Sequence, residues 1–162
     1  MANHYPKIDS EWTLFLDRDG VLNKKLEGRY VTSPEEFVLL PGVADALAQF
    51  SILFSRIIII TNQQGIGKEI MTHEDLNKVH NSMLEQLTYF GGRIDEIYYC
   101  PDLEHLDSIN RKPNPGMGFR AKKDFPEINF KKSIMVGDSR SDIQFGKALQ
   151  MITVRISSVN DP

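Results

Sequence analysis

Four isoleucines in a row, Ile57–Ile60, constrain this chain more than any other feature. β-Branched side chains are stiff at χ1 and pack well on a pleated surface, so the run reads as a strand. Successive side chains of a strand point to opposite faces, so a run without polar alternates belongs in a sheet buried on both sides. Such a sheet forms the middle layer of an α/β sandwich, its parallel strands joined by crossover helices. The remaining sequence has to supply those helices.

It does so by regular alternation. Trp12–Leu16, Arg56–Ile60, Ile94–Cys100, Ser133–Val136 and Met151–Ile156 read as five strands. Pro41–Gly42 introduces a helix whose apolar face is Val43, Ala46, Leu47 and Phe50. Thr72 opens a second helix, with Asp75 in capping-box position and Leu76, Val79, Met83, Leu84 and Leu87 as its stripe. Gly91–Gly92 stops it. Gly116–Phe125 and Ser139–Leu149 complete the set, with Phe119, Phe125 and Phe130 expected in the core and His73 and His80 expected at or near the surface. The spacing predicts one domain over residues 1–162, a three-layer αβα sandwich on a parallel, Rossmann-like sheet. Two stretches, 21–40 and 101–115, are longer than ordinary connections and are therefore expected to face a substrate.

Composition excludes several classes. With 41% apolar and 25% charged residues the chain is an ordinary globular sequence, and its formal net charge of −3 gives no reason to expect nucleic acid or an anionic membrane as partner. Apolar runs such as Ile57–Ile60 are far too short to span a bilayer, and the polar stretch Met1–Glu11 lacks a signal-peptide core. The single cysteine, Cys100, cannot form an internal disulfide and suits a reducing compartment. A cytoplasmic enzyme acting on a small molecule, as a monomer, is the expectation.

The candidate site lies at the strand ends, where open α/β sheets bind ligands. Strand one ends in Asp17–Arg18–Asp19–Gly20, two carboxylates two positions apart before a residue that turns freely. This suits a metal-assisted nucleophile with an acid/base beside it, although an acidic turn alone is common. It is not an EF-hand: counted from Asp17, position 5 is Val21 and position 12 is Gly28. Strand two is followed by Thr61–Asn62–Gln63, whose hydroxyl and amides suit a phosphate oxygen or, equally, a plain cap. Gly65–Ile66–Gly67–Lys68 is not a Walker A loop, because Asn62 and Glu69 stand where glycine and Ser/Thr are required. Arg111–Lys112 precedes the third helix, as site cations or as solvated charges. Asp138 and Asp142 follow strand four, where an N-cap and the helix dipole would explain an acid on their own. Functional-looking groups at four successive strand ends favour a shared site.

Asp-x-Asp-Gly, then Thr, then Lys, then Gly-Asp-x-x-x-Asp in that order resembles the four-motif signature of the haloacid dehalogenase superfamily over residues 12–142. The resemblance implies an aspartyl-phosphate mechanism. Asp17 is then the nucleophile and Asp19 the general acid/base; Thr61 binds the transferring phosphoryl group and Lys112 stabilises it. Asp17, the backbone carbonyl of Asp19, and Asp138 are the expected ligands of Mg²⁺, which needs few protein ligands because it retains water. Asp142 is expected to orient Lys112 or a metal-bound water. Asp19 must give a proton and later take one, which calls for a pKa raised by its acidic neighbours.

The wording of Phe15–Asn23, Thr61–Gln63, Gly92–Asp95, Ile97–Pro101 and Arg111–Pro113 is similar to the D,D-heptose 1,7-bisphosphate phosphatases, with histidinol-phosphate phosphatases as the neighbouring alternative. The resemblance implies that Asn62 and Arg111 serve the substrate, Arg111 at a second anionic group, and the spacing leaves no room for a large cap. A nucleic-acid 3′-phosphatase and a non-catalytic phosphate-binding module are the further alternatives. One departure stands out. Where that family carries Cys-x-His and Cys-x-Cys around a structural zinc, this chain has Cys100–Pro101–Asp102 and Ser108–Ile109–Asn110, so no structural zinc is expected.

Overall fold

The computed structural model describes residues 5–157. Five strands, β1 (Thr13–Leu16), β2 (Arg56–Asn62), β3 (Glu96–Cys100), β4 (Ser133–Gly137) and β5 (Ile152–Arg155), form one sheet in the order β3-β2-β1-β4-β5. Every neighbouring pair is parallel. The crossovers are α1 (Val43–Leu53), α2 (His73–Tyr89), α3 (Gly116–Asp124) and α4 (Arg140–Ala148).

The isoleucine run explains the layering. Ile57–Ile60 are all fully buried, but alternate members belong to different cores. Ile57 and Ile59 pack with Leu14, Leu16, Leu47, Val79 and Met83, under α1 and α2. Ile58 and Ile60 pack with Phe15, Met117, Ala121, Met135 and Phe145, under α3 and α4. Each isoleucine removed from water contributes about 1.5–3 kcal/mol, so this strand alone anchors both interfaces.

Helix starts follow local chemistry. Thr72 and Asp75 form the expected capping box at α2, and Ser139 and Asp142 form a second at α4. Other boundaries shift for tertiary reasons. β2 runs past its apolar core to Asn62, because Thr61 and Asn62 pair with Tyr99 and Cys100 of β3. β3 starts at Glu96 rather than at Ile94, because the Asp95 carboxylate accepts from Ile57 N at 2.8 Å and ends the ladder there.

Two side-chain expectations are corrected. Phe119 is 54% exposed, while Phe125 and Phe130 lie half-buried against the second core. His80 is buried on α2, held there by a partner described below. Between β1 and α1 the chain forms only the short turn Pro34–Glu36 and bridges Asp19–Asn23 and Asn23–Leu39, so no cap domain is inserted there. Among the described residues, no helix is long and apolar enough to cross a membrane.

Candidate active site

The carboxyl ends of β1, β2 and β4 converge on a cleft of about 280 Å³. Asp17 continues the β1–β4 ladder, donating its N–H to Val136 O at 2.9 Å, and so enters the cleft from the floor. Beside it the Lys112 ammonium is almost wholly buried and has three acceptors: Asp17 Oδ1 at 2.8 Å, Asp142 Oδ1 at 2.6 Å and the Ile60 carbonyl at 2.7 Å. Its backbone is clamped by Asn62, which accepts from Lys112 N at 3.0 Å and donates to Lys112 O at 3.1 Å. The loop following β3 is thereby tied to the end of β2.

Asp142 both caps α4 and orients the lysine. Its Oδ2 accepts from Ser139 N and Oγ while its Oδ1 holds Lys112. A side chain at Gly137 would place its Cβ 2.1 Å from the Cβ of Asp142, so the strand must end in glycine for Asp142 to reach in. At Gly20 φ is +85°, and a Cβ there would lie 2.3 Å from Asp138 Oδ2.

The charges on the floor do not balance. Burial raises the Asp17 pKa to about 7, and Asp142 and Asp19 add to that against the opposing pull of Lys112. Burial works against the Lys112 charge too, but the two carboxylates outweigh it and hold its pKa above the ordinary lysine value. Asp142 resists burial through Lys112 and the Ser139 donors and stays low. One ammonium shared by two buried carboxylates leaves Asp17 as the group short of positive charge.

That deficit allows a test for a cation. Asp17, Asp138 and Asp142 offer carboxylate oxygens within 4.8 Å of one another. Asp138 Oδ1 is buried without a hydrogen-bond partner, and Oδ2 is met by the Lys25 ammonium at 2.9 Å. An orphaned carboxylate oxygen, hard oxygen donors and a nearby carboxylate raised by burial all fit a divalent ion such as Mg²⁺.

Asp19 turns out differently from expectation. Burial favours its neutral form, but the Arg18 guanidinium and hydrogen bonds from Asn23, Arg18 and Gln63 prevail and lower its pKa. The identity of its neighbours is the reason: they are donors, not the clustered carboxylates. Thr61 is also buried, accepting from Gln63 Nε2 at 2.9 Å, and does not line the cleft, whereas Asn62 does. Cys100 is buried and its thiol faces Asp102 Oδ2 at 3.5 Å, while His105 lies exposed in the Glu104–Leu106 turn.

Both long loops reach the cleft, the first with Lys25, Leu26, Arg29, Tyr30 and Val31, the second with Arg111. Arg111 is half-buried, its Nη1 3.3 Å from Asp102 O. Sequence reasoning missed Lys25, and it named Arg18 and Gln63 within their motifs without giving their side chains a role. For Arg18 a signal exists: extending the two-residue alternation of β1 puts Asp17 and Asp19 on one side and Arg18 on the other.

Comparison with known proteins finds phosphatases. A family model described as polynucleotide kinase 3 phosphatase matches residues 13–153. A D-glycero-α-D-manno-heptose-1,7-bisphosphate 7-phosphatase of Mycobacterium bovis is 38% identical over 134 residues, covering 83% of this chain and 70% of the relative. The corresponding β-anomer enzyme of Rhodopseudomonas palustris is 36% identical over 141 residues, covering 83% of this chain and 77% of the relative. The D,D-heptose 1,7-bisphosphate phosphatase of B. bronchiseptica, solved with magnesium and phosphate, superposes with a TM-score of 0.82 at 30% identity, covering 88% of this chain and 78% of that one.

Proposed function

The chain belongs to the haloacid dehalogenase-type phosphatases, with the D-glycero-D-manno-heptose-1,7-bisphosphate 7-phosphatases as its relatives, and from that premise we propose that it removes the 7-phosphate of such a heptose bisphosphate. The carrying observation is the buried Lys112 bridge between Asp17 and Asp142, beside the unpartnered Asp138 Oδ1 and beneath a rim of Lys25, Arg29 and Arg111. The floor suits one phosphoryl group and the rim cations suit a second.

In this reading a carboxylate oxygen of Asp17 attacks phosphorus while the bond to the sugar oxygen breaks. The donors around Asp19 hold it ionised in the free cleft, so it takes up a proton as the anionic ester enters and gives that proton to the leaving oxygen, while Lys112 neutralises the phosphoryl group during transfer. Water then attacks the aspartyl-phosphate, Asp19 takes a proton from it, and the bond to Asp17 breaks to release inorganic phosphate. Asp17, Asp138 and the backbone carbonyl of Asp19 would hold Mg²⁺. When bound, the ion supplies the charge that lets an anionic carboxylate approach an anionic ester. Thr61 is linked to Asp19 through Gln63, which donates to both.

The name of the matching family model suggests 3′-phosphorylated nucleic acid as another ester. A net charge of −3 and the named relatives favour the sugar. We hold the chain to be a monomer, and the buried free thiol of Cys100 suits the cytoplasm. We hold that the 101–115 loop folds without zinc; elemental analysis finding one zinc per chain, with unfolding on chelation, refutes that. For substrate, the deciding assay is phosphate release with Mg²⁺ from both heptose bisphosphate anomers, histidinol phosphate and a 3′-phosphorylated oligonucleotide. The highest kcat/KM is expected on a heptose bisphosphate, and a higher value on either other ester overturns the assignment.

A further inference from the structure

Arg18 separates the two catalytic aspartates in sequence, yet its side chain leaves the cleft and is fully buried. Nη2 donates to both oxygens of Asp19, at 2.9 and 3.0 Å. Nη1 lies 3.1 Å from Nε2 of His80, on α2. A guanidinium nitrogen only donates, so Nε2 must carry a lone pair and the ring proton sits on Nδ1. Burial and the Arg18 charge push the His80 pKa down to about 3, so the ring is a neutral acceptor at any working pH. The Tyr99 ring packs edgewise on His80 with centroids 6.2 Å apart, and Tyr99 Oη is in turn 2.8 Å from His73 Nδ1.

Asp19 thus receives four hydrogen bonds from three side chains: two from Arg18, one from Asn23 on Oδ1 and one from Gln63 on Oδ2, the last two both at 3.0 Å. Asn23 and Gln63 are buried and bonded elsewhere, Asn23 to the Lys24 carbonyl and Gln63 to Thr61. Arg18 is the longest and most adaptable member of the set. It has no partner at Nε, so the tip of its side chain is located by Asp19 at one nitrogen and His80 at the other.

We propose that His80 is a positioning residue which, through Arg18, sets the Asp19 carboxylate for proton transfer to the leaving group. The inference rests on the reading of Asp19 as the acid/base. A merely structural His80 would satisfy a buried guanidinium and nothing more, and its loss would weaken all esters alike. A positioning His80 would matter in proportion to how much the leaving group needs a proton, because general acid catalysis is worth on the order of 10²–10⁴-fold only where it is needed.

Phenyl phosphate and p-nitrophenyl phosphate separate these cases, since they share a shape and p-nitrophenolate leaves without protonation. The reading is kcat/KM with saturating Mg²⁺, which covers steps up to leaving-group loss. Asp19→Asn, the control, is expected to lose more on phenyl phosphate than on p-nitrophenyl phosphate. His80→Leu, which cannot accept, is expected to lose on the order of tenfold more on phenyl phosphate than on p-nitrophenyl phosphate. His80→Gln, whose Oε1 can accept from Nη1, is expected to restore most of the difference. Equal losses on the two esters, no loss on either, or a failure of His80→Gln to rescue overturns the inference while leaving the phosphatase reading intact. An Asp19→Asn variant that shows no discrimination instead removes the acid/base reading and the inference with it. If His80→Leu does not fold, His80→Phe, which keeps an aromatic ring beside Tyr99 but cannot accept, is read by the same ratio.

Discussion

The floor and the rim of the cleft are built on opposite principles. On the floor, Lys112 and Asp142 are at most 3% exposed, and Lys112 spends its three protons on acceptors just after β1, in β2 and in α4. On the rim, the side chains of Lys25 and Arg29 are 54% and 63% exposed and answer to single surface partners, Asp138 and Glu36. A buried ion pair has one good geometry and a severe penalty for losing a partner; a surface pair is worth little either way. In the proposed function, chemistry common to all phosphate esters therefore sits where the fold tolerates no variation. Recognition of one ester is assigned to residues where variation is inexpensive.

Breaking the floor should have the largest effect. Asp17→Asn is expected to abolish turnover of every ester, because an amide neither attacks phosphorus nor binds Mg²⁺ well. Residual activity in pure protein above a thousandth of wild type removes the covalent mechanism. The same variant has a second readout. The folded-state pKa of Asp17 lies near 7, above its unfolded value near 4, so the folded protein binds the extra proton between those limits. That contribution is fully present below about pH 4 and is lost as pH rises through about 7. Without metal, wild-type Tm should therefore fall relative to Asp17→Asn across this window, and parallel Tm curves contradict the charge deficit described for the floor.

Lys112→Ala comes next. It is expected to lower kcat by about 10²–10³-fold on bisphosphates and on p-nitrophenyl phosphate alike. It should also destabilise the fold by about 3–5 kcal/mol, since it leaves two buried carboxylates unpaired. A variant that retains kcat would move Lys112 from the chemistry to the fold alone.

Rim substitutions should separate substrates instead. Arg111→Ala is expected to raise KM for a sugar bisphosphate about tenfold, the value of one half-buried charge-assisted contact, with little effect on p-nitrophenyl phosphate. Equal losses on both place Arg111 with the floor and take away the main support for a second anionic group.

The smallest effect is expected at Lys25, whose ammonium rests on Asp138 Oδ2. Lys25→Ala frees that carboxylate and should tighten Mg²⁺ binding about two- to fivefold, the scale of an exposed ion pair. Calorimetric titration of Mg²⁺ without substrate reads this directly, and weaker binding would mean that Lys25 helps to hold the site.

Much of this was legible from residues alone. The isoleucine run called for a sheet covered on both faces, and each face of that strand now has its own core. Thr72–Asp75 and Ser139–Asp142 announced their helices because capping is chemistry within four residues. The order Asp17, Asp19, Thr61, Lys112, Asp138, Asp142 followed from successive strand ends, since parallel strands deliver their carboxyl ends to one rim. Arg18–His80 and Lys25–Asp138 left no such trace, being pairs separated by 62 and 113 residues.

The sequence by itself thus determined the layers, the strand-end order and the set of chemical groups, because each depends on side-chain period, local capping or chain direction. Only the tertiary structure decided which charges meet. It shared Lys112 between Asp17 and Asp142, surrounded Asp19 with donors rather than acids, and buried His80 against Arg18. Those outcomes shift the pKa values of Asp17, Asp19, Lys112 and Asp142. They depend on distances across the fold, and electrostatic energy follows distance and burial, not position along the chain.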